Sequence, residues 1–136
     1  MFFKRGNYKK IGLIFCLGLW KEANELTRVY QYHGFEVCSV ACKNGTVPKA
    51  SFDEDEPGEC GVGIACNPIG QALIANAYDV DFNVLLGLCV GHDTLALKYL
   101  EAPTTVLAVK DRVTGHAPLA PLYSAKTYYK KKLYSE

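Results

Sequence analysis

Four short apolar runs, at residues 11–16, 35–42, 83–89 and 104–109, punctuate the chain and constrain its fold more than any other feature. Each has the length of a buried strand and is too short for a core helix. The segments between them carry helical signals. Leu19, Ala23, Leu26, Tyr30 and His33 recur at helical spacing up to Gly34, a natural stop. Asn67-Pro68 is a helix start, with asparagine as cap and proline in the first turn, leading into Ile69, Ala72, Leu73 and Asn76. Asp93 is placed to cap a short helix through Leu100, and the tail over 118–133 is expected to close as a helix. Strands alternating with helices through short links imply right-handed crossovers and a parallel sheet covered on both faces. The expected fold is α/β: a small three-layer parallel sheet of about four strands, flavodoxin-like or Rossmann-like, with the flavodoxin-like strand order preferred.

A chain of 136 residues suits one domain, spanning 1–136. A long connection at 44–62 carries Asp53-Glu54-Asp55-Glu56-Pro57-Gly58, too polar and too rich in breakers for regular structure, and long loops of this kind often act as lids. Fifteen basic against fourteen acidic residues leave a formal charge of +1, so no global field favours nucleic acid or an anionic membrane as partner.

Lys4, Arg5, Lys9 and Lys10 precede the apolar stretch 11–20 much as the basic region of a signal peptide precedes its apolar core. The stretch leads directly into Lys21 and Glu22 with no small-residue cleavage site, and it falls well short of the roughly 20 residues that span a bilayer. The expectation is a cytoplasmic protein in a reducing compartment, where its six cysteines serve metals or catalysis more readily than disulfides. Asn44-Gly45-Thr46 then marks a turn rather than a glycosylation site.

In open parallel sheets ligands bind beyond the carboxyl ends of the strands. Cys16, Cys42 and Cys89 end the first three strands, and Cys66 stands just ahead of the Asn67-Pro68 helix start on the same edge. Cys60 lies on the acidic loop, within reach of that edge, whereas Cys38 falls inside a strand and is expected in the core. His92 and Asp93 follow Cys89 directly, and His116 follows the fourth strand together with Lys110, Asp111 and Arg112. His33, at a helix end, is expected to be structural. Taken singly, each strand-end cysteine is more simply a small core hydrophobe. Four on one edge beside two histidines make a functional cluster.

Two chemistries and one binding role stay open. Cys16, Cys42, Cys66 and Cys89 offer four soft ligands for zinc or an iron–sulfur cluster, although no Cys-x-x-Cys pair concentrates them. Cys66 at a helix N-terminus is a candidate nucleophile or redox thiol, with His92 or His116 as proton-transfer partner and Asp93 beside them. Lys110 and Arg112, with Asp111 and His116, offer a site for a small anionic ligand, against the blander reading of a solvated charge cluster. Whether the chain is an enzyme is left open, and a homo-oligomer is compatible with everything above. Gly61-Val62-Gly63-Ile64-Ala65-Cys66 is no dinucleotide fingerprint, since it follows an acidic loop and has cysteine at the third glycine position. Tyr128-Tyr129-Lys130-Lys131-Lys132 is an isolated patch on a neutral chain, better explained as a solvated helix end than as an RNA site.

Phe15-Cys16-Leu17-Gly18-Leu19 with Glu22-Ala23, then Cys42-Lys43, Cys66-Asn67-Pro68-Ile69-Gly70-Gln71-Ala72, Gly87-Leu88-Cys89-Val90-Gly91-His92-Asp93 and Lys110-Asp111-Arg112-Val113 occur together. This set resembles an uncharacterised family, a domain of unknown function, whose cysteine-rich members occur mainly in anaerobic bacteria and archaea and are often labelled metal-binding. The resemblance covers nearly the whole chain. It implies roles for Cys16, Cys42, Cys66, Cys89, His92, Asp93, Lys110, Asp111, Arg112 and His116. Longer members carry a cysteine-bearing N-terminal segment that this chain, beginning at Met1-Phe2-Phe3-Lys4, is expected to lack.

Overall fold

The four apolar runs form the four strands of one parallel sheet. The computed structural model describes residues 2–51 and 63–134. A short helix α1 (Phe2–Arg5) precedes β1 (Lys10–Phe15), and a 3-10 turn (Leu17–Leu19) leads into α2 (Trp20–Tyr32). Then come β2 (Glu36–Ala41), α3 (Pro68–Ala77), β3 (Phe82–Leu86), α4 (His92–Tyr99) and β4 (Thr104–Ala108), followed by two short helices, α5 (Ala120–Tyr123) and α6 (Lys130–Leu133). The strand order is β2-β1-β3-β4 with every pair parallel, the flavodoxin-like order expected from the alternation.

Helices flank the sheet on both faces, and each face has its own core. On one, Ile14, Cys38, Val40, Leu85 and Leu88 meet Ala75 of α3 and Ala96 of α4. On the other, Ile11, Leu13, Val84 and Leu86 pack with Leu19 and Ala23, backed by Phe3, Tyr30 and Phe35. The central strands β1 and β3 are buried along nearly their whole length, which is why their sequences are continuous rather than alternating. Cys38 lies in the first core as expected, and burial followed by the nearby Glu36 carboxylate pushes its thiol pKa up.

Three local features differ from the sequence reading. The tail does not form one helix over 118–133, but two single-turn helices separated by turns at Ser124 and Thr127. It presents no buried residue on either helix, and without a tertiary apolar face a helix of that length is marginal. The cap of α4 is Gly91, at φ +96°, rather than Asp93. Asp93 sits in the first turn, where its Oδ1 accepts from the N–H groups of Gly91 and Thr94, at 2.9 Å each. The 44–62 connection is partly regular at its described ends: 3-10 turns at Asn44–Thr46 and Lys49–Ser51, and an antiparallel bridge between Pro48 and Ile64. Gly45, at φ +75°, makes the turn that its sequon marked. Cys60 and the acidic stretch 53–58 lie outside the described residues.

Candidate functional site: a thiol cluster around Lys110

All four rim cysteines occupy loops at the carboxyl edge of the sheet. Cys16 follows β1 and caps the 3-10 turn, its Sγ accepting from the Gly18 N–H at 3.4 Å. Cys42 follows β2, and its Sγ accepts from the Leu17 N–H at 3.4 Å, so the turn after β1 places one amide on each sulfur. Cys66 immediately precedes the α3 cap and its thiol contacts Cys42 Sγ at 3.7 Å. Cys89 lies beyond β3, and the Lys110 ammonium from the end of β4 bridges it to Cys16, with Nζ 3.6 Å from Cys89 Sγ and 3.0 Å from Cys16 Sγ. Cys16 and Cys42 are buried, whereas Cys66 and Cys89 are half-buried.

This packing follows from the ends of the elements. Asn67 caps α3 through a 2.8 Å bond from the Gly70 N–H, and its own N–H donates to the Cys42 carbonyl at 2.6 Å. Asn44 Nδ2 donates to the Ala41 carbonyl at 3.1 Å and the Asn67 carbonyl at 3.0 Å, tying the end of β2 to the start of α3. Gly70 has to be glycine beneath these two amides, because a Cβ there would lie 2.5 Å from Asn67 Nδ2 and closer still to Asn44 Oδ1. Where β3 pairs with the opposite edge strand, β4, the register shifts between Leu85 and Leu86, and bonds follow from the Gly87 N–H to the Ala108 carbonyl and from the Lys110 N–H to the Leu88 carbonyl. That irregular continuation sets Lys110 beside Cys89.

The electrostatics divide the thiols. Burial works against ionisation of Cys16, but the Lys110 hydrogen bond, the Gly18 amide and the Lys110 charge together outweigh it and lower its pKa below the usual 9.0. Reciprocally, the bond to Cys16 outweighs desolvation and raises the pKa of Lys110. Cys42 goes the other way. Burial, with Cys66 and Cys16 adding to it against the Leu17 amide, pushes its thiol up to about 11. The site therefore sets a thiol whose ionisation is favoured beside one that is held in its protonated form.

The remaining sequence candidates sort by what their side chains touch. Asp111 is committed to its own loop: its carboxylate accepts from the N–H groups of Val113 (2.9 Å) and Thr114 (3.3 Å) and from the Thr114 hydroxyl. The Thr114 hydroxyl is foremost in lowering its pKa. The Asp111 N–H donates to His116 Nδ1 at 3.1 Å, which leaves Nε2 to carry the ring proton. Lys110, Arg112, Gly115 and His116 form one wall of a cleft of about 340 Å³, and Gly18, Leu19 and Glu22 form the other. His92 begins α4 and its backbone N–H donates to the Cys89 carbonyl at 2.9 Å, but among the described residues neither the His92 ring nor the His116 ring hydrogen-bonds to a cysteine thiol. His33 caps the far end of α2 in solvent. A larger cavity of about 520 Å³ opens at the amino edge between Phe3, Val29, Tyr30 and Phe35, far from every thiol of the cluster.

Two contributors escaped the sequence reading. Gln71 is fully buried, and its Nε2 donates to the carbonyls of Phe15 at 3.0 Å and Val40 at 2.7 Å, clamping the strand ends that carry Cys16 and Cys42. A polar residue on the buried face of α3 was the available signal. Gly18 was the other: besides its amide, its missing side chain makes room for Arg112, whose Nη2 would sit 2.7 Å from a Cβ at that position.

The donor types suit a soft metal, but their arrangement does not. Among the described residues no three His, Cys, Asp or Glu side chains are grouped so as to hold a metal ion, and Lys110 occupies the space between Cys16 and Cys89. Among the same residues no helix is long and apolar enough to cross a membrane.

Comparison with known proteins supports a family of unknown function for this chain. No solved structure matches this chain. It is similar to Uncharacterized protein MJ0455 of Methanocaldococcus jannaschii, with 46% identity over 132 residues, covering 97% of this chain and 67% of that protein. Residues 1–107, from α1 through most of β4, match the family described as Protein of unknown function (DUF1847). The thiol cluster thus sits in a protein that belongs to the DUF1847 family.

Proposed function

We propose that this chain is a thiol-dependent redox module, in which Cys16 is the ionised thiol and Cys42 and Cys66 complete the exchange. The supporting observation is the Lys110 ammonium 3.0 Å from Cys16 Sγ, because a thiolate, and not a thiol, is the nucleophile in sulfur chemistry. With a low-molecular-weight disulfide as oxidant, the Cys16 thiolate attacks one sulfur, the S–S bond breaks, and one thiolate leaves. Cys42 then attacks the Cys16 sulfur of the mixed disulfide. Its proton passes to the second departing thiolate, and a Cys16–Cys42 disulfide remains. Two electrons have moved from the protein to the reagent. Cys66, 3.7 Å from Cys42 and half-exposed, carries the disulfide outward by exchange: attack on Cys42 Sγ forms Cys42–Cys66 and returns the Cys16 thiolate. This gives Cys66 the later role, with Cys16 attacking first, and it suits a reducing, cytoplasmic setting.

The test is anaerobic treatment with a small disulfide, followed by mapping of the disulfides and counting of released thiols. The expected result is two reagent thiols per chain with a bond at Cys42–Cys66 or Cys16–Cys42, abolished in Cys16→Ser. Mixed disulfides scattered over all cysteines, Cys38 included, would contradict it.

A metal site is the second reading, favoured by four cysteines from four separate loops at one rim. Zinc or an iron–sulfur cluster there would require Lys110 to withdraw. Stoichiometric zinc or iron in anaerobically purified protein, with the thiols of Cys16, Cys42, Cys66 and Cys89 blocked to reagents until a chelator is added, would favour it over the redox reading.

A further inference from the structure

We propose that the cleft beside the thiol cluster binds the oxyanion, carboxylate or phosphate, of a small molecule, with Arg112 and His116 as its principal ligands. The inference goes beyond the redox reading and does not depend on it.

The cleft, about 340 Å³, has room for a small organic anion. Its cationic wall is Lys110, Arg112 and His116, and the opposite wall is Gly18, Leu19 and Glu22. Lys110 is engaged by the Cys16 sulfur, so among the described residues the cation left to meet a ligand is Arg112. Among the described residues the guanidinium makes no ion pair, even with Glu22 across the cleft. Its planar fork is suited to two parallel bonds with one oxyanion. His116 adds a defined donor, because the Asp111 N–H occupies Nδ1 and the proton is left on Nε2.

The wall is built before any ligand arrives. The Asp111 carboxylate is consumed by Val113 and Thr114, so it rigidifies the loop and does not compete for Arg112. Gly18 lets the guanidinium lie against the turn that also carries the Cys16 cap. A bound anion would thus rest one residue, Lys110, away from the thiolate. Glu22 adds one negative charge to the opposite wall, which disfavours polyanions and fits a ligand bearing a single oxyanion head.

With three histidines in the chain, ring-proton NMR reads the site directly. Inorganic phosphate and acetate, titrated in turn, should shift the His116 ring signals saturably while leaving those of His33, at the amino edge, in place. The tighter of the two identifies the oxyanion. Arg112→Gln should weaken that binding about tenfold, as expected for loss of a charge-assisted bidentate contact, and Arg112→Lys should restore only part of it. The proposal is overturned if neither anion gives a saturable shift at His116, or if Arg112→Gln titrates like the parent. Because His116 does not report on Cys16, either result leaves the redox reading to its own test.

Discussion

The largest contribution favouring ionisation of Cys16 comes from a side chain at the end of the edge strand β4. Replacing Lys110 with methionine keeps the aliphatic stem and removes the charge, so the burial of Cys16 is no longer opposed by its largest favourable partner. Alkylation of Cys16 near neutral pH, followed by peptide mapping, should slow by roughly tenfold in Lys110→Met. An unchanged rate would place the activation elsewhere. This pairing was only half legible in the sequence. Cys16 and Lys110 were both assigned to the rim from strand ends, but a contact between residues 94 positions apart depends on the strand order and on the irregular end of β3 and β4. Cys66 drew attention for its place before a helix, a local signal. The lysine that singles out Cys16 is a tertiary one.

At the scale of elements, the site is held by the ends of the strands and by the start of α3. Gln71→Leu removes the donor to two buried strand-end carbonyls, offset in part by removal of an Oε1 that is buried and unpaired among the described residues, and should cost about 1–3 kcal/mol in denaturant unfolding. Asn67→Ala should cost about 1 kcal/mol through loss of the α3 cap. Gly87→Ala belongs to the same group, since its φ is +63° and a Cβ would run into Leu19 of the 3-10 turn. A loss of about 1–3 kcal/mol is expected. A substitution at any of the three with no change in stability would argue against this framework. The sheet itself was legible because β1 and β3, buried on both faces, are apolar along most of their length, with Asn83 the buried polar exception. The α3 start was legible from its cap. The tail was not, because Leu119, Leu122, Tyr128 and Leu133 imitate an apolar stripe that stays exposed among the described residues.

For the whole molecule, the split between the thiols becomes a dependence of stability on pH. Cys42 keeps its proton in the folded chain up to about 11, against 9.0 for an ordinary thiol. The folded form therefore binds more protons between those values, and the contribution of Cys42 is complete below 9.0 and lost as pH rises towards 11. The displacement corresponds to about 3 kcal/mol, and unfolding measured from pH 9 to 11 should show a shallower decline in Cys42→Ala than in the parent. Cys16 acts in the opposite sense. Its folded pKa lies below 9.0, so its contribution is present above 9.0 and lost as pH falls through the folded value. That difference can be seen without a reagent having to reach a buried sulfur, in the ultraviolet absorbance of the thiolate. The decisive measurement is the pH titration of this absorbance in the folded protein, taken as the difference between the parent and Cys16→Ser. A thiolate transition below 9.0 that moves upward in Lys110→Met is expected; a transition at or above 9.0, indifferent to Lys110, would mean that Lys110 does not activate Cys16.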